Sequence, residues 1–123
     1  MVGVARSLDG LKDVGAAITA AGGRFEAQAC DIGDSTALAQ MVEQVAEKHG
    51  RLDILVNVAG ILRDRMIFNM NEQEWDDVIA VHLKGHFCTT KPASIIMRQQ
   101  RYGRIINFSS ISGLGGLPGQ ANY

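Results

Sequence analysis

The stretch "LDILVNVAG", residues 52–60, decides the fold. It is a short run of branched apolar residues closed by Ala59-Gly60, and it reads as a buried strand. Before it, Asp34 or Ser35 caps a helix that carries Leu38, Met41, Val42 and Val45 at i, i+3, i+4 and i+7 and stops at Gly50. After it, Asn71 and Glu74 have the spacing of a capping box. They open a long helix with Trp75, Val78, Ile79, His82 and Phe87, which reaches about Gln100 and has Pro92 as a possible kink. "GRIINFSS" (103–110) follows as a last apolar strand.

Toward the N-terminus the pattern repeats. "MVGVA" (1–5) reads as a strand, and Leu11, Val14 and Ile18 mark one face of a helix over about 9–21 that Gly22-Gly23 stops. "RFEAQAC" (24–30) alternates as a strand with unequal faces. Strands joined by connections of helix length imply parallel pairing and right-handed crossovers. The predicted fold class is α/β, a doubly wound parallel sheet in one domain over 1–123, with no internal repeat or second domain.

Composition narrows the function. Apolar residues make up 46% and charged residues 20% of the 123, with a net charge of -1. That balance gives no case for a nucleic-acid partner or an anionic membrane surface. No apolar run approaches the roughly 20 residues that span a bilayer, and no secretory leader opens the chain. Cys30 and Cys88 are in no metal-type spacing, and no metal site is expected. A cytoplasmic protein is the expectation.

In doubly wound sheets ligands bind beyond the carboxyl ends of the strands. Those ends carry Ala5-Arg6-Ser7, Asp31-Ile32, Asn57-Val58-Ala59-Gly60 and Ser109-Ser110-Ile111-Ser112-Gly113. Each has a plain structural use. Arg6 suits an exposed helix start, Asp31 a turn or cap, and Ser109 and Ser110 a loop. His82, on a face with Trp75, Val78 and Ile79, suits a satisfied core histidine.

Taken together, "ARS", "CDI", "NVAG", "GRIINFSS" and "GQANY" resemble the short-chain dehydrogenase/reductase family. Its members interconvert carbonyls and alcohols with NAD(H) or NADP(H) on a Rossmann-type sheet. The resemblance covers almost all of the chain, but only the middle of a family domain. Ser110 stands 13 residues before Tyr123, the spacing of the family's Ser–Tyr pair. "ILRDRMIFNMNEQEWDDVIAVHLKGHF" and "GQANY" are most similar to 3-oxoacyl reductases and 3-hydroxyacyl-CoA dehydrogenases.

The resemblance implies roles. Tyr123 gives a proton to the carbonyl oxygen, and Ser110 hydrogen-bonds the same oxygen. Asp31 and the Ile32 backbone meet the adenine. Asn57, Ala59 and Gly60 let the chain pass close to the adenosine ribose, although Val58 replaces the family's usual second Asn. Arg6 follows Ala5 where NAD-preferring members carry an acid, which favours NADP(H) over NAD(H). His82 replaces the active-site Asn that kinks the long helix and holds a relay water. Met66, Ile67, Phe68 and Met70 form a loop beside the substrate, where they face an acyl chain or, more commonly for such residues, pack the helix start.

A small carbonyl or alcohol substrate, acyl thioesters included, and a homodimer or homotetramer paired through the helix at 72–100 follow from the same resemblance. Other substrates within the fold are sugar alcohols, steroids and diols. A catalytically inactive nucleotide-binding or dimerisation module is the alternative of another class.

Two parts of the family pattern lie outside the sequence. The first strand with its glycine-rich turn belongs before Met1, and a lysine belongs four residues after Tyr123, along with the C-terminal third of the domain. Free phenols ionise near a pKa of about 10, so the tyrosine's role calls for such a cation. Gly113 to Gly116 is no substitute for the turn and reads as a mobile loop. The expectation is an incomplete sheet of two separated strand pairs, poorly stable and without NADPH-dependent turnover on its own.

Overall fold

A computed structural model describes all residues, Met1 to Tyr123. Four strands form two separate parallel pairs. β1 (Val2–Ala5) pairs with β2 (Glu26–Ala29), with Val2 opposite Glu26 and Ala5 opposite Ala29. β3 (Ile54–Asn57) pairs with β4 (Arg104–Asn107), with Ile54 opposite Arg104 and Asn57 opposite Asn107. No ladder joins β1 to β3. The expected gap between the pairs is therefore present.

Helices supply the connections. α1 (Asp9–Ala20) lies against β1 and β2, and α2 (Ser35–His49) begins where the Asp34 carboxylate accepts the N–H groups of Thr36 and Ala37. α3 (Glu72–Ile79) starts on the predicted capping box: Asn71 Oδ1 accepts the Glu74 N–H at 2.9 Å, and Glu74 Oε2 accepts the Asn71 N–H at 3.0 Å. α4 (Gly85–Gln100) continues the rod, and α5 (Ile111–Gly115) is a single turn after β4.

α4 continues through Pro92, which sits buried inside it. The irregularity of the long helix is a π-turn over Ala80–Lys84, where the hydrogen bonds step to i+5 and His82 takes the middle position. The stretch after Ser110, expected as a mobile loop, winds into α5 because the Ser110 hydroxyl accepts the Ser112 N–H at 3.2 Å.

The core sits between α2 and α4. Leu38, Val42, Val45 and Ala46 of α2 and Cys88, Ala93 and Met97 of α4 are buried, as is Val78 of α3. α1 buries none of its residues, so the face carrying Leu11, Val14 and Ile18 lacks full cover. β3, expected to be a buried strand, leaves Ile54 56% and Val56 48% exposed. Their neighbours Ile106 and Phe108 are exposed too, which makes one apolar sheet face open to water. Parallel strands of this composition ordinarily have both faces covered.

Candidate active site

The carboxyl ends of β2 and β3 meet at the π-turn. Ile32, just past β2, packs where a side chain at Gly85 would come within 2.6 Å of its Cγ1. Gly60, just past β3, faces His82 so closely that a Cβ there would lie 2.5 Å from His82 Cε1. Tyr123 then sets its ring edge-on to His82, with centroids 5.1 Å apart and planes at 83°. The segment Ala80–Lys84, its C-terminal neighbour Gly85 included, is thus the meeting point of two strand ends and the Tyr123 segment.

His82 is held by one backbone unit. Its Nε2 lies 3.1 Å from the Ile61 nitrogen and 2.8 Å from the Ile61 oxygen. A neutral Nε2 accepts the Ile61 N–H, and a protonated one donates to the Ile61 carbonyl. The same residue therefore serves either state of the ring. His86, one turn on, has its pKa lowered, first by burial and then by His82.

Ser110 caps α5, and no hydrogen bond links it to Tyr123 or His82. The structure thus unites Tyr123 with His82 and joins neither to Ser110. The Tyr123 amide donates to the Gln120 carbonyl at 3.1 Å, closing a turn that fixes the tyrosine backbone.

The expected cofactor residues divide by what their side chains already do. Asn57, only 6% exposed, has its carboxamide fully used: Oδ1 accepts from the Thr89 hydroxyl at 2.8 Å, and Nδ2 donates to Asn107 Oδ1 at 2.9 Å. It ties β3, β4 and α4 together, leaving only its backbone for a ligand. Val58, in place of a second amide, is exposed. Asp31 uses Oδ1 to accept the Gly33 N–H at 2.9 Å, so the turn and the ligand role are compatible on two different oxygens. Arg6 is exposed at the tip of β1 and pairs with no carboxylate, and Ala59 is exposed beside Gly60. Burial and then Asp34 and Asp31 push the Cys30 thiol pKa up, which disfavours the thiolate that a nucleophile needs.

The loop before α3 behaves differently from the commoner expectation for such residues. Ile67 and Phe68 form a 3₁₀ turn with Asn69 and do not pack the helix start; Phe68 is 76% exposed. The preceding residues are pinned instead to the tyrosine's own segment. The Arg65 N–H donates to the Gly119 carbonyl at 2.7 Å, and Gln120 Nε2 donates to Asp64 Oδ2 at 3.0 Å. Asn122, which the sequence did not single out, is buried in that junction. Its only sequence signal is an amide directly before the tyrosine in "GQANY".

No helix is long and apolar enough to cross a membrane. The family model for short chain dehydrogenase matches residues 1–123. The chain belongs to the short-chain dehydrogenase/reductase family. Its members are oxidoreductases that use NAD(P). Among curated relatives, hydroxyacyl-CoA dehydrogenase ChsB1 of Mycobacterium tuberculosis is 44% identical over 98% of this chain and 41% of its own length. The 3-oxoacyl-[acyl-carrier-protein] reductase FabG of Thermotoga maritima is 44% identical over 82% of this chain and 41% of its own. This short-chain dehydrogenase sequence thus spans about two-fifths of the length of both. A metagenomic short-chain oxidoreductase solved with NADP superposes with a TM-score of 0.93 at 37% identity, covering 99% of this chain and 56% of that one. An NAD⁺-bound xylitol dehydrogenase superposes equally, 0.93, at 26% identity over 99% and 47%.

Proposed function

We propose that this sequence carries the carbonyl-polarising part of an NADP(H)-dependent reductase of 3-oxoacyl thioesters. The observation that carries the reading is the Tyr123–His82 contact just past the end of β3, where Gly60 faces His82. Relatives named for 3-oxoacyl and hydroxyacyl thioester chemistry support the substrate class.

The residues present fit the adenosine end of a nicotinamide dinucleotide. Arg6 offers an unpaired guanidinium to a 2′-phosphate, and no acid at the end of β1 repels it. Asp31 keeps one carboxylate oxygen free, and Gly60 has no side chain to obstruct the turn. When bound, the nicotinamide supplies a hydride for the carbonyl carbon. The protein supplies the rest: Tyr123 donates its phenolic proton to the carbonyl oxygen, and the Ser110 hydroxyl holds that oxygen in line. His82, whose Nε2 meets both the N–H and the carbonyl of Ile61, holds its ring edge-on to Tyr123 and so orients the proton donor. Exposed Ile67 and Phe68 offer apolar surface to an acyl chain. Leu83 and Phe87, exposed on the π-turn and α4, suit pairing of two copies into a homodimer or homotetramer.

The test is loss of NADPH absorbance with acetoacetyl-CoA, catalysed by the protein carrying this sequence. NADPH is expected to be preferred to NADH, with the preference lost in Arg6→Ala. Tyr123→Phe is expected to lower kcat by about 10²-fold or more. Oxidation of xylitol with NAD⁺, and no turnover of the thioester, would overturn the reading. The 123 residues alone are expected to give no turnover, because the phosphate-cradling glycine turn and the family lysine are not among them.

A further inference from the structure

Asn122 is 5% exposed and sits between two backbone carbonyls. Its Nδ2 donates to the Arg63 oxygen at 3.0 Å and to the Glu74 oxygen at 2.9 Å. Both partners are pure acceptors, so the orientation of the carboxamide is fixed by chemistry. Its Oδ1 is buried and meets no donor, so the two donated bonds alone set the orientation.

We infer that Asn122 is a positioning residue that sets the place of the Tyr123 ring against His82. The two groups share a bracket. Residues 61–65 hold His82 through Ile61, Asn122 through Arg63 and Gly119 through Arg65, each by a backbone atom. Glu74, the second anchor of Asn122, is itself fixed: its carboxylate takes the Asn71 N–H and Arg65 Nε, which hold its pKa below the ordinary range. Asn122 therefore joins the tyrosine segment to the bracket and to the first turn of α3 at once. The residue immediately after it is Tyr123, so a shift of the carboxamide displaces the ring. The consequence for turnover rests on the reading of Tyr123 as the proton donor, whereas the positional effect does not.

The experiment is a proton NMR measurement on the protein carrying this sequence, with no cofactor or substrate added. The wild type is expected to show a cross-relaxation signal between the Tyr123 and His82 rings. Asn122→Ala and Asn122→Asp are expected to lose it at pH 7, with the signals of the single Trp75 unmoved. Acidification is expected to restore it in Asn122→Asp alone, because a protonated carboxyl donates again. Asp34→Ala, which removes the α2 cap and leaves Asn122 and both of its anchors intact, separates positioning from general loosening. It is expected to keep the ring contact.

Persistence of the contact in both Asn122 variants, its loss in Asp34→Ala, or its absence in the wild type overturns the inference. If the thioester assay succeeds, Asn122→Ala is expected to lower kcat by about 10²-fold with KM for NADPH unchanged. If that assay fails while the ring contact still depends on Asn122, the inference stands and only the substrate reading falls.

Discussion

Gly60 and His82 are locked by contact. A methyl group at position 60 would sit 2.5 Å from His82 Cε1, and the ring cannot retreat without leaving both Ile61 atoms. Gly60→Ala is expected to cost about 1–3 kcal/mol, read as a lowered urea midpoint, and to weaken the tyrosine contact at the same time. A midpoint equal to wild type would show that the ring has room to move. The capping box of Asn71 and Glu74 was legible in the sequence because its two residues stand three apart. The junction of Asn122 with Arg63 and Glu74 was not, because it joins residues 59 and 48 positions apart through backbone oxygens. Backbone acceptors leave no trace in side-chain identity.

Among the elements, β2 and α2 are joined at one carboxylate. Glu26 accepts from Lys48 Nζ at 2.7 Å and Gln28 Nε2 at 3.1 Å, with His49 3.3 Å away. These partners, Lys48 foremost, lower its pKa from 4.5 to about 2. A carboxyl depressed in the folded state is stabilising above its unfolded pKa, and that contribution fades as pH falls from about 4.5 toward 2. Acid titration of the wild type is therefore expected to lose stability faster through that window than Glu26→Gln. Parallel curves for the two proteins would count against the linkage. Element type was readable wherever periodicity was strong. Of the α2 face, Leu38, Val42 and Val45 are buried as their spacing predicts, Met41 is half-buried, and Ala46 is added. α1 and β3 had equally clear patterns yet remain partly uncovered, because a pattern states which face seeks cover and not what supplies it. The π-turn was hidden for a related reason: slipping one hydrogen-bond step depends on what His82 meets across space.

The whole molecule exposes 8388 Å², against about 6,500 Å² for a compact monomer of its mass. The excess fits the open sheet face of Ile54, Val56, Ile106 and Phe108 and the unpaired edges of β1 and β3. The 123 residues alone are expected to associate as concentration rises, with sedimentation giving masses above the monomer and a hydrophobic dye binding strongly. A single monomeric species that melts cooperatively would refute this. The bracket at 61–65 has a different kind of consequence. Because its grips at alternate residues are backbone atoms, proline is barred at 61 and 65, whose N–H groups are engaged, while the side chain at 62 makes no hydrogen bond that the geometry needs. Leu62 already points its side chain largely into water. Mutation at 62 can therefore redraw the chemistry of this loop while the geometry of the tyrosine is inherited unchanged.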